Sequence, residues 1–130
     1  MTWKKAFVVL GTAATAFLFT AGVANAQAAD AQVKRGQTLW QVRGCAGCHS
    51  IGKGAGSGIA PDLGGVTQRR SVEWLHAWLK DTSGMLATDS TAIGLMKQYK
   101  NAKMPNQKIS EADADAIIAF IKATEAKKSK

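Results

Sequence analysis

Apolar residues in this chain recur at helical spacing and nowhere alternate over any length, so the pattern predicts helices and no sheet. Four segments carry it. The first is expected from about Ala29 to Gly44. The second, about Ser71 to Lys80, sets Val72, Leu75, Trp78 and Leu79 on one side. A third, about Thr91 to Tyr99, turns Ile93 and Met96 inward with Leu95 beside them. The fourth starts at Ser110, where Ile117, Phe120, Ile121 and Thr124 form an i, i+3, i+4, i+7 stripe. Its start is well specified: Ser110 suits an N-cap, and Glu111, Asp113 and Asp115 place negative charge in the first turns. Lys127, Lys128 and Lys130 load the opposite end.

The first and last of these helices should cross. Gly36 inside a helix costs about 1 kcal/mol relative to Ala, which calls for a reason. A missing side chain lets another helix approach closely. Trp40 lies one turn on, and Phe120 is its natural partner. Even so, four short helices bury a thin core, and a domain of this size gains from an internal staple.

Ahead of the first helix lies a segment of a different kind. Trp3-Lys4-Lys5 supplies positive charge, Ala6 to Val23 carries none, and Ala24-Asn25-Ala26 has small residues where a signal peptidase reads. This predicts an export signal over residues 1–26, removed to leave one domain, 27–130, in the periplasm with no stable membrane insertion. The alternative is a retained membrane anchor. It fits less well, because the stretch is rich in Ala, Gly and Thr and ends in an A-x-A site.

Two of the 17 basic residues lie in the leader, whereas all nine acidic ones follow it. The mature chain thus has 15 basic against nine acidic residues, a formal net charge of +6. For an exported protein this points to redox or other partner proteins with acidic docking surfaces rather than to nucleic acid. The plainer alternative is that the charge only keeps the domain soluble. Lys97, Lys100, Lys103 and Lys108 stand between Asp89 and Glu111 with no acid among them, which is where a positive docking rim would lie if there is one.

The two cysteines change the picture most. Cys45 and Cys48 close almost no loop, so a disulfide between them would stabilise little. Cys45-Ala46-Gly47-Cys48-His49 is a C-x-x-C-H sequence, the pattern of c-type haem attachment. Two thiols on one tight turn reach the vinyl groups on one edge of the macrocycle, and the next residue offers its imidazole to the iron. A thioredoxin-like pair would come with a βαβ pattern, which is absent. Zinc would need four ligands, and the only other histidine is His76. A buried porphyrin would also be the staple that the thin core wants.

An iron ligand opposite His49 would come from Met85, Met96, Met104 or His76. Met104 is the favoured choice: Pro105 forces it out of helical geometry, so a loop holds its side chain. Met96 fits the inward stripe of its helix as core packing. Met85 follows Gly84 in a polar loop, and His76 fits a surface position. Pro61, closing the Gly-rich stretch, is placed to aim its carbonyl at the second ring nitrogen of His49, since a ligating histidine usually donates there; otherwise it merely stiffens a turn.

Gly36-x-x-Leu39-Trp40, Cys45-x-x-Cys48-His49, Pro61-x-Leu63, Met104-Pro105 and Ile117-Ile118-Ala119-Phe120-Ile121-Lys122 occur in the order of the class I cytochrome c family, which the chain resembles over its whole mature length. The resemblance implies an all-α fold of about four helices around one haem c held by Cys45 and Cys48. It further implies His49 and Met104 as axial ligands, the Pro61 carbonyl on His49, and a crossing built from Gly36, Trp40 and Phe120. The chain departs from the family in two places. Trp74 and Trp78 are both candidates for the tryptophan that often reaches a haem propionate. The stretch Asp81 to Ser90 lacks a proline often found there. The expected activity is one-electron transfer and not enzymatic catalysis. The alternatives are a haem subunit of a larger respiratory or oxidase complex, and a haem sensor or peroxidase from which Met104 dissociates.

Overall fold

The computed structural model describes residues 15–54 and 57–128. Among the described residues there are six α-helices, a single 3-10 turn over Cys45–Gly47, and no strand. The helices are α1 (Thr15–Val42), α2 (Val66–Arg69), α3 (Val72–Lys80), α4 (Thr82–Thr88), α5 (Ser90–Gln98) and α6 (Glu111–Lys128). Contacts divide the chain into Met1–Asp30 and Ala31–Lys130.

Within the first unit, the part of the expected leader up to Ala14 lies outside the described residues. From Thr15 the chain is helical, well ahead of the expected start at Ala29. Alanines at 21, 24, 26, 28, 29 and 31 explain the difference, since Ala has the highest helix propensity. No described helix is long and apolar enough to cross a membrane.

In the second unit α6 is the central element. Ala114, Ala116, Ile117, Ile118 and Ile121 are buried, a wider face than the single expected stripe. Two neighbours account for the width: the 31–42 portion of α1 packs on one side and α3 on another. At the first contact, a Cβ added to Gly36 would sit 1.9 Å from the Ala116 carbonyl oxygen and 2.8 Å from Phe120 Cβ. The backbones therefore touch where only glycine fits. One turn on, Trp40 meets Phe120 at 5.9 Å between ring centres, tilted by 52°. Arg35 closes the crossing with Nε and a terminal nitrogen on Asp113 Oδ1, at 2.9 and 2.6 Å. That bond, against a smaller opposing effect of burial, holds the Asp113 carboxyl below its ordinary value.

Helix starts follow their caps. Ser110 Oγ accepts from Asp113 N–H at 3.3 Å, and Ser71 Oγ from Trp74 N–H at 3.2 Å. Just before α6, Ile109 donates its N–H to the Leu79 carbonyl at 3.0 Å, which ties the end of α3 to the start of α6. The polar loop read over Asp81 to Ser90 is corrected here, because α4 occupies Thr82–Thr88. Asp81 accepts from Gly84 N–H at 3.0 Å and Asp89 from Ala92 N–H at 2.8 Å, so each aspartate opens a helix. Met85 thus belongs to a helix. Trp40, Ile51, Ile109, Ala114, Ile117 and Ile121 form the buried core, and beside it the fold leaves a large cavity.

Candidate functional site

The cavity begins where α1 ends. Gly44 stands in the left-handed region with φ +71° and donates its N–H to the Gln41 carbonyl at 3.0 Å, a turn that glycine makes without strain. The chain then tightens into the 3-10 turn. Cys48 and His49 both donate their N–H to the Cys45 carbonyl, at 3.2 and 2.9 Å. One turn therefore gathers two half-buried free thiols and an imidazole. Before any attachment, burial pushes the Cys45 thiol above its ordinary value.

His49 Nδ1 lies 2.9 Å from the Pro61 carbonyl oxygen. A carbonyl can only accept, so Nδ1 carries a proton, and in the neutral ring Nε2 is the nitrogen left with a lone pair. The Pro61 carbonyl is thus where the sequence placed it. The next residue, Asp62, was not singled out from the sequence. Its carboxylate accepts from Ser50 Oγ at 2.6 Å and from the N–H groups of Gly52, Lys53 and Gly64 at 2.9, 2.9 and 2.7 Å.

Cys45, Cys48, His49 and Met104 all line one cavity of about 770 Å³. Met96 lines it too, whereas Met85 does not. His76 faces α6 instead, with Nε2 2.8 Å from Asp115 Oδ1 and Nδ1 3.7 Å from Glu111. The Met104 sulfur is engaged: Trp78 Nε1–H donates to it at 3.1 Å. Trp78 stacks on Trp74, 5.5 Å between ring centres and within 10° of parallel. Trp74 donates to Asp89 at 3.3 Å, and Arg70 lies over its ring at 5.5 Å. The i, i+4 spacing of the two tryptophans was the only sequence signal for this pair.

The donor set fits haem c. Two thiols sit on one turn at the wall, an imidazole has its second nitrogen already satisfied, and a thioether lies in the same space. Leu63, Leu75, Leu79, Ile117 and Ile121 make much of that space apolar. Its volume is within the roughly 300–1,000 Å³ of buried ligand sites.

Comparison with known proteins agrees. Residues 33–125 match the family described as cytochrome c. A subunit of nitric oxide reductase from Stutzerimonas stutzeri is 36% identical over 97 residues, 71% of this chain and 58% of that protein. The chain therefore spans little more than half of that relative. Cytochrome c2 of Rhodoblastus acidophilus is 33% identical over 98 residues, 66% of this chain and 88% of that protein. The cytochrome c of Rhodothermus marinus has the same fold at TM-score 0.66, with 23% identity, 75% of this chain and 80% of that one covered. A cytochrome c domain from Pseudomonas putida gives TM-score 0.60 at 36% identity, covering 70% and 88%.

Proposed function

The chain belongs to the cytochrome c family, and from that premise we propose that it is an exported one-electron carrier whose iron is held between His49 and Met104. Its cofactor is one haem c, attached covalently through Cys45 and Cys48. When bound, the haem iron supplies a one-electron couple. The protein's residues do the rest. The Cys45 and Cys48 sulfurs, thioethers once attached, would keep the group in place through each change of charge, and the Pro61 carbonyl orients His49. The loop before α6 presents Met104, a soft sulfur ligand that raises the potential. His49 and Met104 would hold the iron between them and leave substrate no place to bind, so catalysis is not expected.

The observation that carries this reading is that one cavity gathers the C-x-x-C-H turn and the Met104 sulfur. Export is supported by the leader pattern over residues 1–26, with the periplasm as destination and acidic redox proteins as partners. The test is spectroscopic. The oxidised protein should show a sulfur–iron band near the red end, and CO should not change the reduced spectrum. Met104→Ala should lose the band, lower the potential and admit CO, whereas Met85→Leu and Met96→Leu should change none of these. CO binding to the unaltered protein would overturn the carrier reading. Opening of the iron by Met96→Leu would move the ligand to α5.

A second reading, a haem-bearing component of a larger complex, is favoured by the similarity to a nitric oxide reductase subunit. The apparent mass in a native extract separates the two: a free carrier without its leader runs below the 13.7 kDa of the full chain, a component of a complex far above it.

A further inference from the structure

We propose that Asp62 is the positioning residue of the haem's histidine: its carboxylate knots Ser50–Lys53 to Asp62–Gly64 and so keeps the Pro61 carbonyl on His49 Nδ1. This rests on His49 as iron ligand. The contact between His49 and Pro61 joins two ends of a Gly-rich loop, and glycine-rich chain loses much freedom when ordered. A single neutral carbonyl hydrogen bond is too weak to hold the two ends of that loop together by itself.

Asp62 supplies what is missing. It directly follows Pro61, and its four donors come from Ser50, Gly52 and Lys53, which directly follow His49, and from Gly64. The Leu63 N–H adds a backbone bond to the Ser50 carbonyl at 2.8 Å. Space is closed as well: a Cβ on Gly64 would come within 2.8 Å of Asp62 Oδ1 and of Gly52 Cα. From outside, Arg69 donates to the carbonyls of Gly64 at 2.7 Å and Asp62 at 3.4 Å.

The charge belongs to the device. Partial burial alone would raise the Asp62 carboxyl, but the Ser50 hydroxyl and the three N–H groups prevail and hold it far below the ordinary carboxylate value. The carboxylate therefore stays ionised at neutral pH and well into acid. A charge-assisted acceptor is also roughly twice as strong as a neutral one. A neutral amide at position 62 would lose that strength and bring its own N–H donors against those of the loop.

Asp62→Asn and Ser50→Ala separate geometry from charge, since the second keeps the carboxylate and removes one donor. In the reduced, haem-loaded protein labelled with ¹⁵N, the His49 Nδ1–H should exchange with solvent roughly 10-fold or more faster in Asp62→Asn, the factor that loss of a charge-assisted hydrogen bond corresponds to. The potential should rise, because a weaker hydrogen bond makes the imidazole a poorer donor to oxidised iron. Ser50→Ala should move both readouts the same way by less, and it decides the matter if Asp62→Asn does not fold. Unchanged ring N–H exchange in both variants, with only a lower melting temperature, would overturn the proposal. So would a potential change confined to Asp62→Asn with exchange unaltered, which is the signature of charge alone. If the His49 ring of the unaltered protein shows no haem-shifted resonances, the ligand assignment and the clamp fall together. Normal resonances with unaffected variants sink only the clamp.

Discussion

Trp78 Nε1–H points at the Met104 sulfur from 3.1 Å while its ring lies flat on Trp74. Thioether sulfur is a weak acceptor, so the bond adds little to stability. With Met104 on the iron as proposed, its effect would be electronic: a donor on the sulfur withdraws density that would otherwise reach the iron and favour the oxidised state. Trp78→Phe keeps an aromatic ring against Trp74 but removes the N–H. We expect its potential to fall by tens of millivolts, since about 1 kcal/mol is less than the 59 mV that corresponds to a tenfold change for one electron. A redox titration checks this, and a shift upward would mean that lost packing outweighs the lost hydrogen bond.

Two glycines inside helices answer the same substitution in opposite ways. At Gly36 a methyl group would be driven into the Ala116 carbonyl, and both helix backbones would have to part. Gly36→Ala should cost about 1–3 kcal/mol by overpacking. For a domain of about 100 residues each kcal/mol lowers Tm by roughly 4–8 °C. At Gly94, on the exposed side of α5, an added Cβ meets nothing within 4 Å. There Gly94→Ala should raise stability by about 0.5–1 kcal/mol, through helix propensity and a less free unfolded chain. Thermal melts of the two variants beside the parent give the comparison, and equal signs would refute the α1–α6 crossing as drawn.

Across the molecule, charge is arranged by segment. Lys97, Lys100, Lys103 and Lys108 are all exposed around the loop that carries Met104, and Lys103 itself borders the cavity. Lys100 and Lys108 even occupy left-handed backbone, at φ +57° and +49°, where a side chain is disfavoured. A positive rim on this side would steer an acidic partner and raise association rates about 10-fold or more at low salt. The steering fades as the Debye length shortens from about 30 Å at 0.01 M to about 8 Å at 0.15 M salt. Reversing Lys100 and Lys103 to Glu should slow electron transfer to the natural partner at low salt and flatten its salt dependence. Reversing Lys127 and Lys128, at the end of α6, should do much less. Equal effects would show that net charge, not this rim, is what the partner feels.

The covalent chemistry was legible in the order of residues alone, because a C-x-x-C-H turn is local: three side chains within five positions need only one tight turn to act together. The crossing of α1 and α6 was legible for a related reason, since a glycine inside a helix and apolar residues at helical spacing are costs and faces written into single segments. Helix α4 was hidden by Gly84 in its first turn, which disguised the cap that Asp81 forms. What tertiary structure alone decided are contacts between segments far apart in the chain. Trp78 reaches Met104 across 26 positions, and Asp62 gathers donors from both sides of a loop. It also brought Met96 to the cavity wall and left Met85 and His76 away from it. No spacing rule reports such contacts, because their geometry depends on how α3, α6 and the loops pack, and that packing is set by the sum of many apolar burials rather than by any one residue.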